Sequence, residues 1–463
     1  MDIKLNKLFF VFCVFSIHLI PFASKFTFET FPILIILFSA FIFFFKNKKF
    51  SNYNKNKKYI FFLVAYLLLF YLVNLFGYNN STIELIKYLI GPLIFLSYLD
   101  LKKFFGINEI LLFGVLIISL YLIFIWRLPY IFDYSCRSLE FFIGRLDCAN
   151  TNNLNRPFLI TPEPSYLSLM LSFYLIILNH FKNDDKKYQI FIIIIEIFIC
   201  FIIIQTSSRI GLLFVIFFVL YKFFYYSLHK KIIIITSLIF TISFLFVSNF
   251  SLVKKNNLNF QGSLVDSRNL MNIDRITSFF MYNQSPVVLV NCDKIYLDKD
   301  IDSTKQCTVP FTLFSVMNRN EPTGFIRIFH NYLSFMGSMD SKFLGNGYGS
   351  YANLWYEHAV RLNVDHLTKI NEVMSKWHPD IKNKKQYAQN YFFSVLHDVG
   401  LIPALLIAIT IIKSFINIIR NKNKFGYIIF LYVIMTFFLQ SNITSPYPWL
   451  ALAIILLDKK KYA

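Results

Sequence analysis

Long apolar runs separated by short polar segments dominate this chain of 463 residues. A helix needs about 20 apolar residues to cross a bilayer, whereas a transmembrane strand shows about 10 alternating ones. The runs here are continuous and near the helical length, so they predict an all-α polytopic membrane protein with about 12 transmembrane helices. The predicted spans are about 8–23, 28–45, 59–77, 83–100, 107–126, 165–181, 189–205, 210–226, 232–249, 390–412, 427–441 and 443–457.

Among the short loops between these runs, basic residues are concentrated in every other loop. Short cytoplasmic loops carry an excess of Lys and Arg, so this alternation sets the orientation of the chain. It predicts that both termini are cytoplasmic and that 127–164 and 250–389 are outer segments. The chain then divides into a nine-span region over 1–249, a large outer loop over 250–389 and a three-span region over 390–463.

Composition agrees with a membrane protein. Hydrophobic residues make up 56% of the chain and charged residues 16%, against about 25% charged residues in soluble proteins. The formal net charge is +20, from 46 basic and 26 acidic residues. In a soluble protein this excess would suggest a nucleic-acid partner. Here many of the basic residues lie in loops that set orientation, so we expect the lipid bilayer as a partner and no nucleic acid.

The outer segments carry two further features. The large loop has helix-compatible pieces at 325–340 and 350–376 rather than strand-like alternation, which predicts a mainly helical loop. Each outer segment also contains two cysteines, and disulfides persist on the outer face of a membrane. The alternative is four free thiols, and closing each loop would contribute about 3 kcal/mol. The predicted disulfides are Cys136–Cys148 and Cys292–Cys307.

Ionisable residues inside predicted spans are costly and mark candidate sites. Four of them lie where snorkelling or pairing between helices can account for them. These four are Glu84, Lys87, Glu196 and Lys222.

Arg209 lies in a tight hairpin at the outer membrane edge, between two apolar runs. Ser207 or Ser208 can cap the helix that follows. The guanidinium of Arg209 keeps its charge and offers a planar set of donors that suits phosphate. We interpret it as a ligand for a lipid phosphate, with an interfacial anchor as the alternative.

Glu163 stands between two prolines, just before the sixth predicted span. Pro162 and Pro164 stop a helix from extending backwards and favour extended backbone. Ser165 is then expected to cap the span, and the positive end of the helix favours an ionised carboxylate. Glu163 is a candidate to accept a sugar hydroxyl proton or to pair with an arginine. The alternative is a simple helix start.

These elements together resemble the O-antigen polymerase and O-antigen ligase superfamily of bacterial envelope glycosyltransferases. Members of that family carry an E-P-S element before a span, an S-R hairpin and one large periplasmic loop before the last few spans. This chain has all three in that order. Within the loop, an arginine precedes a helix-like stretch, and 345–350 is similar to the family's G-x-G-x-[GS] turn. The matching positions in the loop are Arg327, Gly345 and Gly347.

The family motif H-[NSQ]-x9-G-x-x-G follows the loop with two departures. Gln389 stands where the family has His, Asn390 and Gly400 keep the spacing, and Pro403 replaces the last glycine. The ligase branch is expected to rely on that His, so Gln389 weighs against a ligase.

The resemblance implies transfer of a glycan from an undecaprenyl-pyrophosphate-linked donor to a sugar hydroxyl of a second lipid-linked unit. Arginines would stabilise the charge of the leaving pyrophosphate, and a base would accept the hydroxyl proton. The sequence does not choose between Glu163, His330 and His397, the last of which is followed by Asp398. The candidate pyrophosphate ligands are Arg209 and Arg327, with Arg156, Arg275 and Arg319 in second rank.

The same resemblance implies a site that faces the periplasm from the bacterial inner membrane and that needs neither a nucleotide nor a metal cofactor. Its partners would be the lipid-linked oligosaccharides, and a chain-length regulator is left open. Two other functions are weighed against polymerisation. One is an O-antigen ligase that uses the lipid A core as acceptor, and the other is a transporter or flippase of lipid-linked glycan. A transporter would be expected to show pseudo-repeated halves with broken helices.

Overall fold

The structure, a computed structural model, is mainly helical in the residues that it describes. These residues are 3–15, 57–74, 81–122, 159, 164–181, 186–206, 208–225, 287–291, 306–310, 322–362, 388, 390–438 and 445–457. Side chains at a few helix and strand positions within them are not described.

Helices follow most of the apolar runs. A 3₁₀ turn over Lys102–Phe104 continues the third helix. The helices α1–α13 are, in order, Ile3–Phe15, Lys58–Val73, Thr82–Leu101, Ile107–Leu122, Pro164–Phe181, Lys186–Gln205, Arg209–Tyr225, Pro322–Asp340, Ser350–Arg361, Tyr391–Asp398, Leu401–Arg420, Lys424–Phe438 and Tyr447–Leu457. The prediction of a mainly helical chain is confirmed.

The helices differ in whether they are long enough to cross a bilayer. Two described segments, Thr82–Leu99 of α3 and Leu401–Arg420 of α11, are long and apolar enough by length and composition. In seven further apolar helices, the segment with described side chains is 10–17 residues long. The predicted spans 28–45 and 232–249 lie outside the described residues. The count of 12 spans is therefore not confirmed.

Two predicted helices have different bounds in the structure. The predicted span 390–412 is two helices, α10 and α11, which are separated at Val399 and Gly400. Its apolar pattern runs through the break, so hydrophobicity alone does not reveal it. The helix predicted over 350–376 ends at Arg361 as α9.

The described part of the large loop contains two short strands in addition to its helices. Strand β1, Val287–Asn291, pairs antiparallel with β2, Gln306–Pro310, with Val290 opposite Cys307. Three of the five residues of β1 are valine, and a short apolar run of this kind does not alternate. Cys136, Cys148 and Cys292 lie outside the described residues, so both disulfides stay predictions.

Helix α13 lies at the centre of the described helix packing. All 11 of its residues are buried, as expected for a helix that is apolar on every side. It contacts α3, α5, α11 and α12. The indole of Trp449 lies directly against the backbone of Gly91 on α3. A Cβ added at Gly91 would come within 2.0 Å of the indole nitrogen. Glycine at this position allows the two helices to approach.

A buried ion pair joins α6 to α7. The Nζ atom of Lys222 lies 2.8 Å from Oε1 of Glu196, and the side chains are 3% and 7% exposed. Lys222 also donates to the side-chain oxygen of Asn179 on α5. Snorkelling is therefore the wrong explanation for Lys222 and Glu196, whereas pairing between helices is confirmed. Glu84 and Lys87 pair within α3 at 2.6 Å.

We expect Lys222→Met alone to destabilise the fold by about 3–5 kcal/mol, because it leaves the Glu196 carboxylate buried without its partner. The double variant Lys222→Met/Glu196→Leu is expected to recover most of that loss, since apolar residues of similar volume can replace a buried pair. Thermal unfolding of the detergent-purified variants measures both effects. A single variant as stable as the wild type would contradict this account of the pair.

Candidate functional site

The site lies where the turn after α8 crosses the break between α10 and α11. The amide of Asn346 donates to the carbonyl of His397 at 3.0 Å, and the amide of Gly347 donates to that of Asp398 at 2.9 Å. On the other side, the amide of Leu401 donates to the carbonyl of Phe343 at 2.9 Å. The two backbone segments are therefore held together at both edges of the crossing.

Glycines make this close crossing possible. Gly345 and Gly400 have φ values of +93° and +106°, in the region that favours glycine. A Cβ at Gly345 would lie 2.6 Å from the carbonyl carbon of Val399, and one at Gly400 would lie 2.7 Å from the carbonyl oxygen of Phe343. Both contacts are with backbone, which cannot rotate away.

The carboxylate of Asp398 collects five hydrogen bonds inside this crossing. Its Oδ2 accepts from the Tyr88 hydroxyl of α3 at 2.8 Å and from the Gly349 amide at 2.9 Å. Its Oδ1 accepts from the Ser350 hydroxyl, the Tyr351 amide and His397 Nδ1. Gly349 and Tyr351 lie at the N-terminus of α9, so Asp398 caps that helix from α10.

A chain of two imidazoles leads away from Asp398. His397 Nδ1 lies 2.9 Å from the carboxylate, which can only accept, so the proton is on Nδ1. The Nε2 of His397 is then an acceptor, and it lies 3.0 Å from Nε2 of His358. Asn346 also donates towards it at 3.4 Å. His358 therefore carries its proton on Nε2, and its Nδ1 has a free lone pair.

The outer end of this chain faces an exposed ion pair. Nδ1 of His358 has no hydrogen-bond partner among the described residues, and it lies 3.6 Å from Oδ2 of Asp340. That same oxygen pairs with Arg361 at 2.8 Å, and these two side chains are 40% and 57% exposed. Burial lowers the pKa of His358 to about 4, and His397 acts in the same direction. His358 is therefore neutral at pH 7.

His330 forms a separate contact on the other side of α9. Tyr351 donates its hydroxyl to the His330 carbonyl at 2.9 Å, so Nδ1 of His330 donates to that hydroxyl at 2.8 Å. The ring packs edge-on against Trp355. Burial lowers the pKa of His330 to about 4. No carboxylate contacts this imidazole among the described residues, so its contacts are those of a packed core residue.

The tyrosines around Asp398 remain protonated. Burial raises the pKa of Tyr351 well above its ordinary value, and the Asp398 charge raises it further. The pKa of Tyr348 is raised by the same two causes. Tyr348 donates its hydroxyl to the carbonyl of Leu67 at 2.7 Å, which ties the glycine turn to α2.

The structure brings together part of the predicted site. His397, Asp398, Gly345 and Gly347 lie in one place, and His330 is on the neighbouring α8. Arg327 lies half-buried one turn before His330. The predicted residues outside the described part are Glu163, Arg156, Arg275, Arg319 and Gln389, and the side chain of Arg209 is also not described.

Two helices of the chain are capped at positions that the sequence singled out, and a third predicted cap is absent. Ser208 caps α7 with its hydroxyl 3.4 Å from the Gly211 amide, as predicted. Asn390 caps α10 by accepting from the Phe393 amide at 2.8 Å. The prediction that Ser165 caps its span is wrong, because α5 begins at Pro164. Proline is well suited to the first helical position.

Several residues of the site were missed by sequence analysis. They are Tyr88, Asp340, His358 and Arg361. The one sequence signal is the spacing of His358 and Arg361, which puts both on one face of α9. Asp398 also stands at the C-terminal end of its helix, where the helix dipole disfavours a negative charge. This position indicates that a positive or hydrogen-bond-donating group from elsewhere in the chain stabilises the carboxylate.

The arrangement is suited to proton transfer. Among the described residues, no three or more His, Cys, Asp and Glu side chains are grouped so that they could hold a metal ion. A neutral imidazole supported by a second imidazole and a carboxylate can accept a proton from a hydroxyl. No family model matches the chain and no curated protein matches it, so we argue function from this geometry and from the sequence motifs.

Proposed function

We propose that the chain is a polytopic glycosyltransferase of the bacterial inner membrane that polymerises a surface polysaccharide, such as O-antigen. The glycan of an undecaprenyl-pyrophosphate-linked donor passes to a sugar hydroxyl of a second lipid-linked repeat unit. The bond from C1 to the pyrophosphate oxygen breaks, and a bond from C1 to the acceptor oxygen forms. The hydroxyl proton passes to a base of the protein, and undecaprenyl pyrophosphate leaves.

One observation carries this proposal. The two segments that resemble family motifs, the glycine turn 345–350 and the segment 390–403, pack against each other and enclose the buried pair His397–Asp398. The segments are about 50 residues apart in the chain. Motifs that meet around ionisable groups indicate a reaction centre more strongly than either motif alone.

Exposed apolar side chains support the membrane part of the proposal. Val73 of α2 and Ile190 of α6 are each 74% exposed, and Phe224 of α7 is 68% exposed. In contrast, the charged pair Lys222 and Glu196 is buried between helices. Apolar groups outside and paired charges inside are the arrangement expected in a bilayer.

Two arginines are proposed as ligands of the pyrophosphate. Arg209 begins α7, and Arg327 lies on α8. Pyrophosphate is a good leaving group, so the protein mainly has to stabilise the charge that grows on it. Guanidinium groups provide that charge together with oriented donors.

Reconstitution tests the proposal. The purified protein, in liposomes with a synthetic undecaprenyl-pyrophosphate-linked repeat unit, is expected to give a ladder of polymers and to release undecaprenyl pyrophosphate. Arg209→Ala and Arg327→Ala are each expected to lower turnover at least about 100-fold. Arg420→Ala is the matched control, because Arg420 is an exposed residue at the far end of α11.

Deletion of the gene separates the alternatives. A polymerase leaves a single repeat unit on the lipid A core. A ligase leaves full-length polymer on the lipid carrier, and a flippase leaves repeat units on the cytoplasmic face. An unchanged surface glycan in the deletion strain, or no ladder from the reconstituted protein, would refute polymerisation.

A further inference from the structure

We propose that His358 is the catalytic base of this reaction, that His397 and Asp398 are its positioning residues, and that Asp340 and Arg361 form the binding site for the acceptor sugar. The inference rests on the proposed function and assigns a base that the sequence did not single out. The distinguishing feature is the position of His358 between a buried carboxylate relay and an exposed ion pair.

The direction of the relay is set by Asp398. That carboxylate is an acceptor in all five of its hydrogen bonds, so it requires the proton of His397 on Nδ1. His397 in turn accepts from Nε2 of His358 at 3.0 Å. The only lone pair left on this chain of three side chains is on Nδ1 of His358. When a proton arrives there, the Nε2 proton of His358 can pass to Nε2 of His397, whose other nitrogen lies beside the Asp398 carboxylate, as in a catalytic triad with one additional member.

His330 and His397 are less suitable as bases. Both ring nitrogens of His397 are hydrogen-bonded within the relay. His330 also has a free Nε2, but its other nitrogen contacts the neutral hydroxyl of Tyr351 rather than a carboxylate. Its ring is fully buried beside Trp355, with no described charged group against it.

The end of the relay beside Asp340 and Arg361 is suited to a sugar. His358 itself is buried, with 4% of its surface exposed, so the acceptor has to displace neighbouring side chains to reach Nδ1. Nδ1 of His358 and Oδ2 of Asp340 are 3.6 Å apart, too far for a hydrogen bond between them. A sugar hydroxyl that approaches this edge can donate its proton to Nδ1. A neighbouring hydroxyl can donate to Asp340 and accept from Arg361, whose side chains are already paired at 2.8 Å. A carboxylate and a guanidinium side by side offer an acceptor and several donors to adjacent hydroxyls.

Gly337 of α8 keeps His358 in place. A Cβ at this position would lie 2.5 Å from Nε2 of His358 and 2.8 Å from its Cε1. The imidazole therefore lies flat against the backbone of α8, and only glycine leaves room for it. Helix α8 thus provides both the backbone surface on which the His358 imidazole packs, at Gly337, and the carboxylate proposed to bind the acceptor sugar, at Asp340.

The acceptor hydroxyl oxygen attacks C1 of the donor, and its proton moves to Nδ1 of His358. The electron pair of the broken bond leaves with the undecaprenyl pyrophosphate anion. The imidazolium then returns its proton to water beside the exposed carboxylate of Asp340, which restores the neutral base.

His358→Gln tests the base. The amide nitrogen of glutamine can still donate to His397, but the side chain has no basic nitrogen. In the liposome assay we expect the rate constant for polymerisation at saturating acceptor to fall about 10²–10⁴-fold, with normal binding of the lipid-linked donor. Glu357→Gln, at the exposed neighbouring position of α9, is expected to behave like the wild type. His330→Gln is assayed in parallel, because His330 is the competing candidate for the catalytic base.

A His358→Gln enzyme within about threefold of the wild type would overturn the inference, and so would loss of turnover in His330→Gln alone. Because an unfolded variant is also inactive, Arg361→Gln provides an independent test at an exposed side chain. It is expected to raise the KM for the acceptor about tenfold or more, because one charge-assisted hydrogen bond to the acceptor is lost. We expect little change in kcat. An unchanged acceptor KM would remove Asp340 and Arg361 from the acceptor site. If the wild-type protein itself makes no polymer, it is the proposed function that fails.

Discussion

Asp398→Ala is expected to lower the free energy of unfolding by about 3–5 kcal/mol and to abolish polymerisation. The substitution removes the acceptor of five hydrogen bonds and leaves buried donors of Tyr88, Ser350 and His397 without their partner. Each buried donor left unsatisfied costs about 1–3 kcal/mol, and part of this is recovered as the site relaxes. Thermal unfolding in detergent measures the loss, and the liposome assay measures the activity.

Asp340→Ala is the matched control for stability. It also removes an aspartate carboxylate, here from α8. The Asp340 side chain is 40% exposed, and its pair with Arg361 is at the surface. Such pairs contribute about 0–1 kcal/mol, so we expect a small change in the unfolding midpoint. If Asp398→Ala is as stable as Asp340→Ala, then Asp398 does not hold the crossing together.

Gly345→Ala and Gly400→Ala are each expected to displace the glycine turn from the break between α10 and α11. Backbone strain at a positive φ costs about 1–3 kcal/mol for a residue with a side chain. The new Cβ atoms would also lie 2.6 Å and 2.7 Å from backbone atoms, so the segments must separate. The amide of Gly349 and the hydroxyl of Ser350 would then leave Asp398, and we expect at least a 100-fold loss of turnover.

Gly106→Ala is the control for these glycine variants. Its φ is not in the left-handed region, and its Cβ would meet only the carboxylate end of Glu109, which can move. We expect a change in stability under about 1 kcal/mol and normal polymerisation. Full activity in Gly345→Ala or Gly400→Ala would show that the crossing is not needed for the reaction.

The helices were predictable where one local signal dominates. Continuous apolar runs gave the positions of α2, α3 and α12 to within a few residues, because burial of apolar side chains favours helices along such runs. The cap at Ser208 was predictable because a cap acts within three residues. Ser165 was misassigned because two good start signals, proline and serine, lie next to each other and proline took the first position.

The site was less predictable because its contacts are long-range. His358 and His397 are 39 residues apart, and Tyr88 and Asp398 are 310 residues apart. Nothing in the pattern around His358 differs from that of an ordinary amphipathic helix. The break at Gly400 was also missed, because hydrophobicity continues from Val399 to Leu401 and only the contact with Phe343 reveals why a glycine is required there.

The sequence by itself determined that this is an apolar, mainly helical chain, and it pointed to the glycine turn and to the segment 390–403 as motifs. Those properties depend on local composition, spacing and capping. The tertiary structure alone decided that the two motifs meet around Asp398, that Lys222 pairs with Glu196, and that His358 lies at the end of the relay next to Asp340 and Arg361. The reason is physical: the protonation and role of a buried group are set by its neighbours in space, and here those neighbours come from distant parts of the chain.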